Sequence, residues 1–147
     1  MTSTYSFMDV TASLTGPTGV VDLGFGAAVT KEGITVSLAN ARNTMTVGAD
    51  GEGMHSLKAD KSGTVTVRLL YTSPVNAKLQ ALYNAQALSS SLWGQNVITI
   101  RNKGNSETTV CRSCAFQKQG DITYSEEGQM REWVFDCVKI DTVTGEY

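Results

Sequence analysis

The chain has 147 residues and a mass of 15.7 kDa, enough to bury a continuous core in one domain spanning 1–147. With 12 Lys and Arg against 14 Asp and Glu the formal charge is -2, so no basic footprint marks a reader of nucleic acid or a binder of anionic membranes. The apolar share with glycine is about half, which excludes disorder and collagen. No run approaches the ~20 apolar residues of a membrane span, and the opening MTSTYSFMDV has neither the basic nor the apolar region of a signal peptide. These features predict synthesis in a cytoplasm and no membrane contact. Three cysteines are an odd number, so at least one thiol must be free, metal-bound or paired between chains.

Apolar residues mostly alternate, the period of half-buried strands, and the fold class is mainly β. Ser6, Met8, Val10, Ala12 and Leu14 share one face of a first strand that ends at Gly16-Pro17. Val20, Val21, Asp22 and Leu23 follow, and Gly24 and Gly26 then allow a bend. Ile34, Val36 and Leu38 alternate before Asn40-Ala41-Arg42-Asn43, as do Met45, Val47 and Ala49 after it, which predicts that these two segments pair as a hairpin. Residues 48–63, GADGEGMHSLKADKSG, are glycine-rich, charged and poor in apolar side chains, and read as an exposed excursion or long hairpin.

Residues 64–71 alternate Val65, Val67, Leu69 and Tyr71 with polar positions, a strong strand. One helix follows over about 74–88. Ser73 is its cap, Pro74 fits its first turn because the missing N–H has no partner there, and Val75, Leu79, Leu82 and Tyr83 recur on one face. On that helical wheel Asn76, Lys78 and Gln80 point outward. Further strands are predicted at 96–101, 108–116 and 131–140, with a weaker one around 121–124.

Little in the chain suggests catalysis. The one histidine, His55, lies in the excursion, and Glu126-Glu127 sit in a turn where carboxylates are ordinarily solvated. GADGEG lacks the Lys-Ser/Thr and the following helix of a phosphate loop. Cys111-Arg112-Ser113-Cys114 has the spacing of a metal or redox pair, but in a regular strand residues three apart face opposite sides, so both sulfurs converge only if a bulge falls at Arg112-Ser113. With such a bulge Cys111, Cys114, Cys137 and His55 would complete a zinc set; otherwise the thiols are small buried hydrophobes. Cys137 alternates with Trp133 and Phe135, which predicts burial or an interface and leaves a disulfide between subunits open. The expectation is no enzyme, no cofactor and no metal. Two classes remain: a subunit that completes its sheets with copies of itself, and a small ligand-binding β-domain.

Four segments carry a family likeness: TYSFMDVTASLTGPTG, DGEGMHSLKADKSGTVTVRLLYTSPVNAKLQALYNAQ, SLWGQNVITIRNKGN and EWVFDCVKIDTVTGEY. Together they span nearly the whole chain, and it resembles the tail tube proteins of contractile-tailed bacteriophages. Their most specific part is the strand, Thr-Ser-Pro and helix junction after the glycine-rich excursion. The resemblance implies a β-barrel or sandwich with one flanking helix, in rings, typically hexameric, that stack into a hollow tube through which DNA is ejected. It implies as partners the chain itself, the tail sheath, baseplate or tail initiator, tail terminator, tape measure protein, and DNA in the lumen. It places the protein in the virion tail after synthesis in the bacterial cytoplasm. Related tubes of type VI secretion or other injection systems are the alternative. The excursion resembles the loop by which such subunits touch one another, which puts Asp50, Glu52, Met54 and His55 at an interface. The outward helix positions would face the sheath, and disulfides through Cys111, Cys114 or Cys137 could lock rings in an oxidising medium.

Overall fold

The computed structural model describes residues 2–147. In chain order its elements are β1 (Val10–Gly16), β2 (Gly19–Asp22), β3 (Val29–Leu38), β4 (Asn43–Val47), β5 (Gly53–Leu57), β6 (Gly63–Leu70), α1 (Val75–Gln86), β7 (Asn96–Asn102), β8 (Glu107–Lys118) and β9 (Met130–Val143). Seven strands form one antiparallel sheet in the order β2-β1-β7-β8-β9-β6-β3, curled into a half-barrel, and β4 and β5 pair only with each other.

The alternation read in the sequence is the alternation of burial. Val10, Ala12 and Leu14 of β1 point inward, as do Val65, Val67 and Leu69 of β6 and Trp133, Phe135 and Cys137 of β9. The inner faces meet around an aromatic cluster in which Phe116 contacts Tyr83, Trp93, Trp133 and Phe135, with ring centroids 4.7–6.4 Å apart. Burial at this level contributes roughly 1.5–3 kcal/mol for each large apolar side chain, which is why the inward set dictates register.

Helix α1 lies over this core through Val75, Leu79 and Leu82. Ser73 anchors its start: the Oγ accepts the Val75 N–H at 3.3 Å and donates to the Ala27 carbonyl at 2.6 Å. The helix ends at Gln86, short of the predicted 88, and Leu88 is 87% exposed. Gln86 and Asn96 form a fully buried pair, each amide N–H₂ donating to the other's carbonyl at 2.8 Å, and this fixes the end of α1 to the start of β7. The sequence placed Asn76 outward, yet it is buried. Its Nδ2 donates to the Leu70 and Tyr71 carbonyls at 2.9 and 3.2 Å, and its Oδ1 accepts the Trp133 indole N–H at 3.1 Å. The asparagine serves backbone groups left open where β6 stops, a demand that helical periodicity does not register.

Three other expectations are corrected. Residues 7–9 form a 3-10 turn, with the Ser6 Oγ accepting the Met8 N–H at 3.1 Å, so the first strand begins only at Val10. No strand forms around 121–124; Ile122 and Tyr124 are exposed in an irregular connection between β8 and β9. The hairpin across residues 40–43 does not exist. β3 pairs instead with β6, placing Ile34 opposite Val67 and Val36 opposite Val65. The alternating apolar face of β3 finds its match in a core strand distant in sequence, because β4 offers no inward face to complete.

Candidate assembly surfaces

The excursion is a β-hairpin whose first leg starts earlier than the sequence suggested. β4 and β5 pair Asn43 with Leu57, Met45 with His55 and Val47 with Gly53, and residues 48–52 make the turn. Gly51 has φ +88, a left-handed conformation that glycine adopts without strain, and the Asp50 carboxylate accepts the Glu52 N–H at 3.2 Å. Every residue of both strands is exposed. Because opposed residues share a face, Met45, Val47, His55 and Leu57 line one side of the ribbon, and Thr44, Thr46, Met54 and Ser56 the other. The four residues singled out from sequence are therefore dispersed: Asp50 and Glu52 at the tip, Met54 and His55 on opposite faces. Missed were Met45, Val47 and Leu57, although the mirrored alternation of NTMTV and GMHSL around the glycine turn is a signal for them. A lone two-stranded ribbon is marginal in water, and four large exposed apolar side chains give this one a surface fit for covering.

The base of the ribbon is secured. Asn40 Nδ2 donates to Asp60 Oδ2 at 2.9 Å, linking the two legs, while the Ser62 hydroxyl and N–H donate to Asp60 Oδ1 at 2.6 and 2.9 Å. Those bonds, that of the Ser62 hydroxyl foremost, hold the Asp60 carboxyl down at about 2. One step on, Ile140 donates its N–H to the Lys61 carbonyl at 3.0 Å, and the Lys61 ammonium reaches Asp141 at 3.0 Å. Asp141 also takes Arg112 at 2.8 Å, and the two cations lower its carboxyl pKa, Lys61 more than Arg112.

Arg112 belongs to the irregularity that the Cys-x-x-Cys spacing required. Between β7 and β8, Ile98 faces Cys111 and Asn96 faces Cys114, so Arg112 and Ser113 together oppose Val97 alone, and Ser113 has φ +54. This bulge returns Cys114 to the inner face beside Cys111. On β9 the same step occurs between Cys137 and Ile140, both buried, with Val138 and Lys139 exposed between them. All three thiols are free and lie in the core, 0, 0 and 3% exposed for Cys111, Cys114 and Cys137. A bond from there to another subunit would require the sheet to open. The Cys114 and Cys137 sulfurs are 2.7 Å apart. Hydrogen bonding to Cys137, then burial, raises the Cys111 pKa; Cys137 is lowered by its bond with Cys111, but contact with Cys114 and burial outweigh this and push it up to about 12. His55 does not join them, since its ring contacts Asn43 at 3.2 Å on the ribbon, and among the described residues no group of His, Cys, Asp and Glu is placed to hold a metal ion.

Two further surfaces are prepared for contact. The layer formed by the distal half of β8 with β9, β6 and β3 has backbone edges with no strand partner among the described residues: the outer side of β3, and residues 115–118 of β8, beyond the point where β7 ends at Asn96 opposite Cys114. The outward face of this layer carries Thr35, Ser37, Thr64, Thr66 and Gln117; Arg68 lies 3.4 Å from Glu132 and bonds Thr35, Gln117 donates to Asp136 at 3.4 Å, and Lys118, opposite Val134, is an exposed cation. Elsewhere, the open side of the half-barrel is a groove of about 700 Å³ lined by Phe7, Val10, Val29, Ile34, Val36 and Ile100 among others.

A curled antiparallel sheet, one flanking helix and a protruding apolar ribbon make up a fold shared with solved components of contractile injection systems. The sheath/tube terminator structure of an extracellular contractile injection system, PVC, superposes with a TM-score of 0.64 at 14% identity, covering 97% of this chain and 98% of that one. The PVC sheath-tube complex gives 0.60 at 9% identity (96% and 92% covered), and the anti-feeding prophage baseplate 0.59 at 12% identity (97% and 97% covered). At these identities the likeness is one of fold. A comparison with curated proteins finds no match. The family model for the bacteriophage PhiTE tail tube protein matches residues 2–145, and the chain belongs to that family. It is a structural tail tube subunit, a component of the phage tail.

Proposed function

We propose that copies of this chain close into rings, hexameric as in the resemblance drawn from the sequence, and that the rings stack into the hollow inner tube through which DNA leaves the virion. The observation that carries this reading is the pairing of two features: sheet edges left open on both sides of one layer, and a ribbon with exposed apolar side chains. Open edges invite strand addition, and a head-to-tail contact that repeats around an axis closes without leaving an edge. In the closed ring the outward face of β8, β9, β6 and β3 lines the lumen. Its hydroxyls, the pairing of Arg68 with Glu132 and the Asp136 carboxylate support passage of a polyanion, because they offer phosphates few cations beyond Lys118. The ribbon, with Asp50, Glu52, Met54 and His55 and also Met45, Val47 and Leu57, covers a neighbouring subunit.

The protein acts without catalysis, in one domain, and is made in the host cytoplasm. Its partners are the sheath, the baseplate, the terminator and the tape measure protein; the first three have support in the sheath-tube, baseplate and sheath/tube terminator structures that share the fold. A tube of another injection system has the same geometry in its favour, and the family match favours the phage.

Negative-stain electron microscopy over a concentration series tests the reading. Stacked rings with a stain-filled channel are expected, and their loss in Met45→Ser/Leu57→Ser, with the thermal midpoint unchanged, would assign the ribbon to the contact. Compact monomers at every concentration, even with a tail initiator complex added, would overturn it.

A further inference from the structure

We propose that Cys114 and Cys137 are a redox modification site, oxidised to a cross-strand disulfide within one chain that fastens β8 to β9 at the bulge beneath the ribbon. This inference does not rest on the tube reading. The two residues are directly opposite in register, and their sulfurs lie 2.7 Å apart. Opposed residues on antiparallel strands have Cα atoms about 4.5–5.5 Å apart, inside the ~4.4–6.8 Å that a disulfide spans, and bond formation closes the sulfurs by only about 0.7 Å. Cys111 is not equivalent. It stands opposite Ile98 on one side and Ile140 on the other, and meets Cys137 only diagonally across the bulge, so it remains the third, reduced thiol.

Burial decides which partner each sulfur has. With Cys114 at 0% and Cys137 at 3% exposure, no thiol of a second chain reaches them while both chains are folded, so the covalent link is internal where the sequence left a link between subunits open. The bond would also act on the ribbon. Arg112, one residue past Cys111, and Lys61, at the foot of the ribbon, share the Asp141 carboxylate, and the Lys61 carbonyl takes the Ile140 N–H. Clamping β8 to β9 there fixes the platform from which the ribbon projects.

The oxidant is a small-molecule disulfide such as oxidised glutathione. The Cys137 thiol loses its proton, its thiolate attacks the oxidant, and one glutathione thiolate leaves. The Cys114 thiolate then attacks the Cys137 sulfur of the mixed disulfide and expels the second glutathione. Two protein thiols thus give up two protons and two electrons, one S–S bond forms, and two molecules of reduced glutathione result. Because the thiols are buried and Cys137 is protonated at neutral pH, exchange runs through folding or local opening.

The test is to refold the full chain from denaturant in buffer with excess oxidised glutathione, then measure intact mass, thiol count and a non-reducing peptide map. The expected product is a chain two hydrogens lighter with no covalent link to another chain, one titratable thiol in place of three, a Cys114–Cys137 peptide pair, and a raised thermal midpoint that dithiothreitol abolishes. Cys111→Ala keeps the bond, and Cys137→Ala loses it. Three free thiols after refolding, a lasting glutathione adduct, a bond through Cys111, or disulfide-linked chains would each overturn the proposal.

Discussion

Lys61 and Asp141 stand 80 positions apart in sequence, and their charged groups lie 3.0 Å apart in the structure, joining the foot of the ribbon to the last strand. Both side chains are partly exposed, so the pair acts less on global stability than on where the ribbon points. Asp141→Asn is expected to leave the unfolding midpoint nearly unchanged and to speed amide exchange at Ile140 and in residues 43–57. Hydrogen–deuterium exchange by mass spectrometry checks this, and unchanged protection there would show that the backbone bond from Ile140 suffices.

Acid should loosen the same region at a defined point. Asp60 has a folded pKa of about 2 against an ordinary value of 3.8, so its carboxylate contributes stability fully above 3.8, and that contribution is lost as pH falls through about 2. The stability difference between wild type and Asp60→Asn should be constant at neutral and mildly acidic pH, shrink between 3.8 and about 2, and vanish below. Urea titrations of both proteins over this range measure it. A difference that persists in strong acid would place the effect in side-chain shape rather than charge.

Asn76 provides the sharpest contrast with its neighbours on α1. Asn76→Ala strips the Trp133 indole N–H and two carbonyls of their partner, at a cost of roughly 1–3 kcal/mol, whereas Lys78→Ala, on the exposed face, should stay within about 0.5 kcal/mol. Chemical denaturation of the two variants decides whether this residue belongs to the core network.

The bulge makes its own prediction through Ser113, held at φ +54. Ser113→Gly relieves a conformation disfavoured for side chains and should raise stability by about 1 kcal/mol, while Ser113→Val should lower it. Thermal denaturation reads both. A destabilising glycine would mean that the Ser113 side chain, exposed in the monomer, contributes more than its backbone costs.

The alternation of apolar residues was enough to locate most of the strands, because a sheet with one buried face repeats every second residue, and Val65, Val67 and Leu69 or Trp133, Phe135 and Cys137 show that repeat without ambiguity. The helix was legible from its 3.6-residue repeat and the exposed excursion of residues 48–63 from its glycines, charges and thin apolar content, whereas the class of protein came from the family resemblance and not from patterning. Partner choice was not. β3 could pair equally well on local pattern with the segment after residue 43 or with β6, and only the closed core, in which Ile34 and Val36 meet Val67 and Val65, selects the distant strand. Nor could periodicity place Asn76 or the cysteines. The burial of Asn76 answers carbonyls left open at the end of another element, and the inward turn of both Cys111 and Cys114 depends on one extra residue in β8 opposite Val97. Such positions are decided by backbone hydrogen bonds and register between segments far apart in sequence, and those exist only once the sheet has closed.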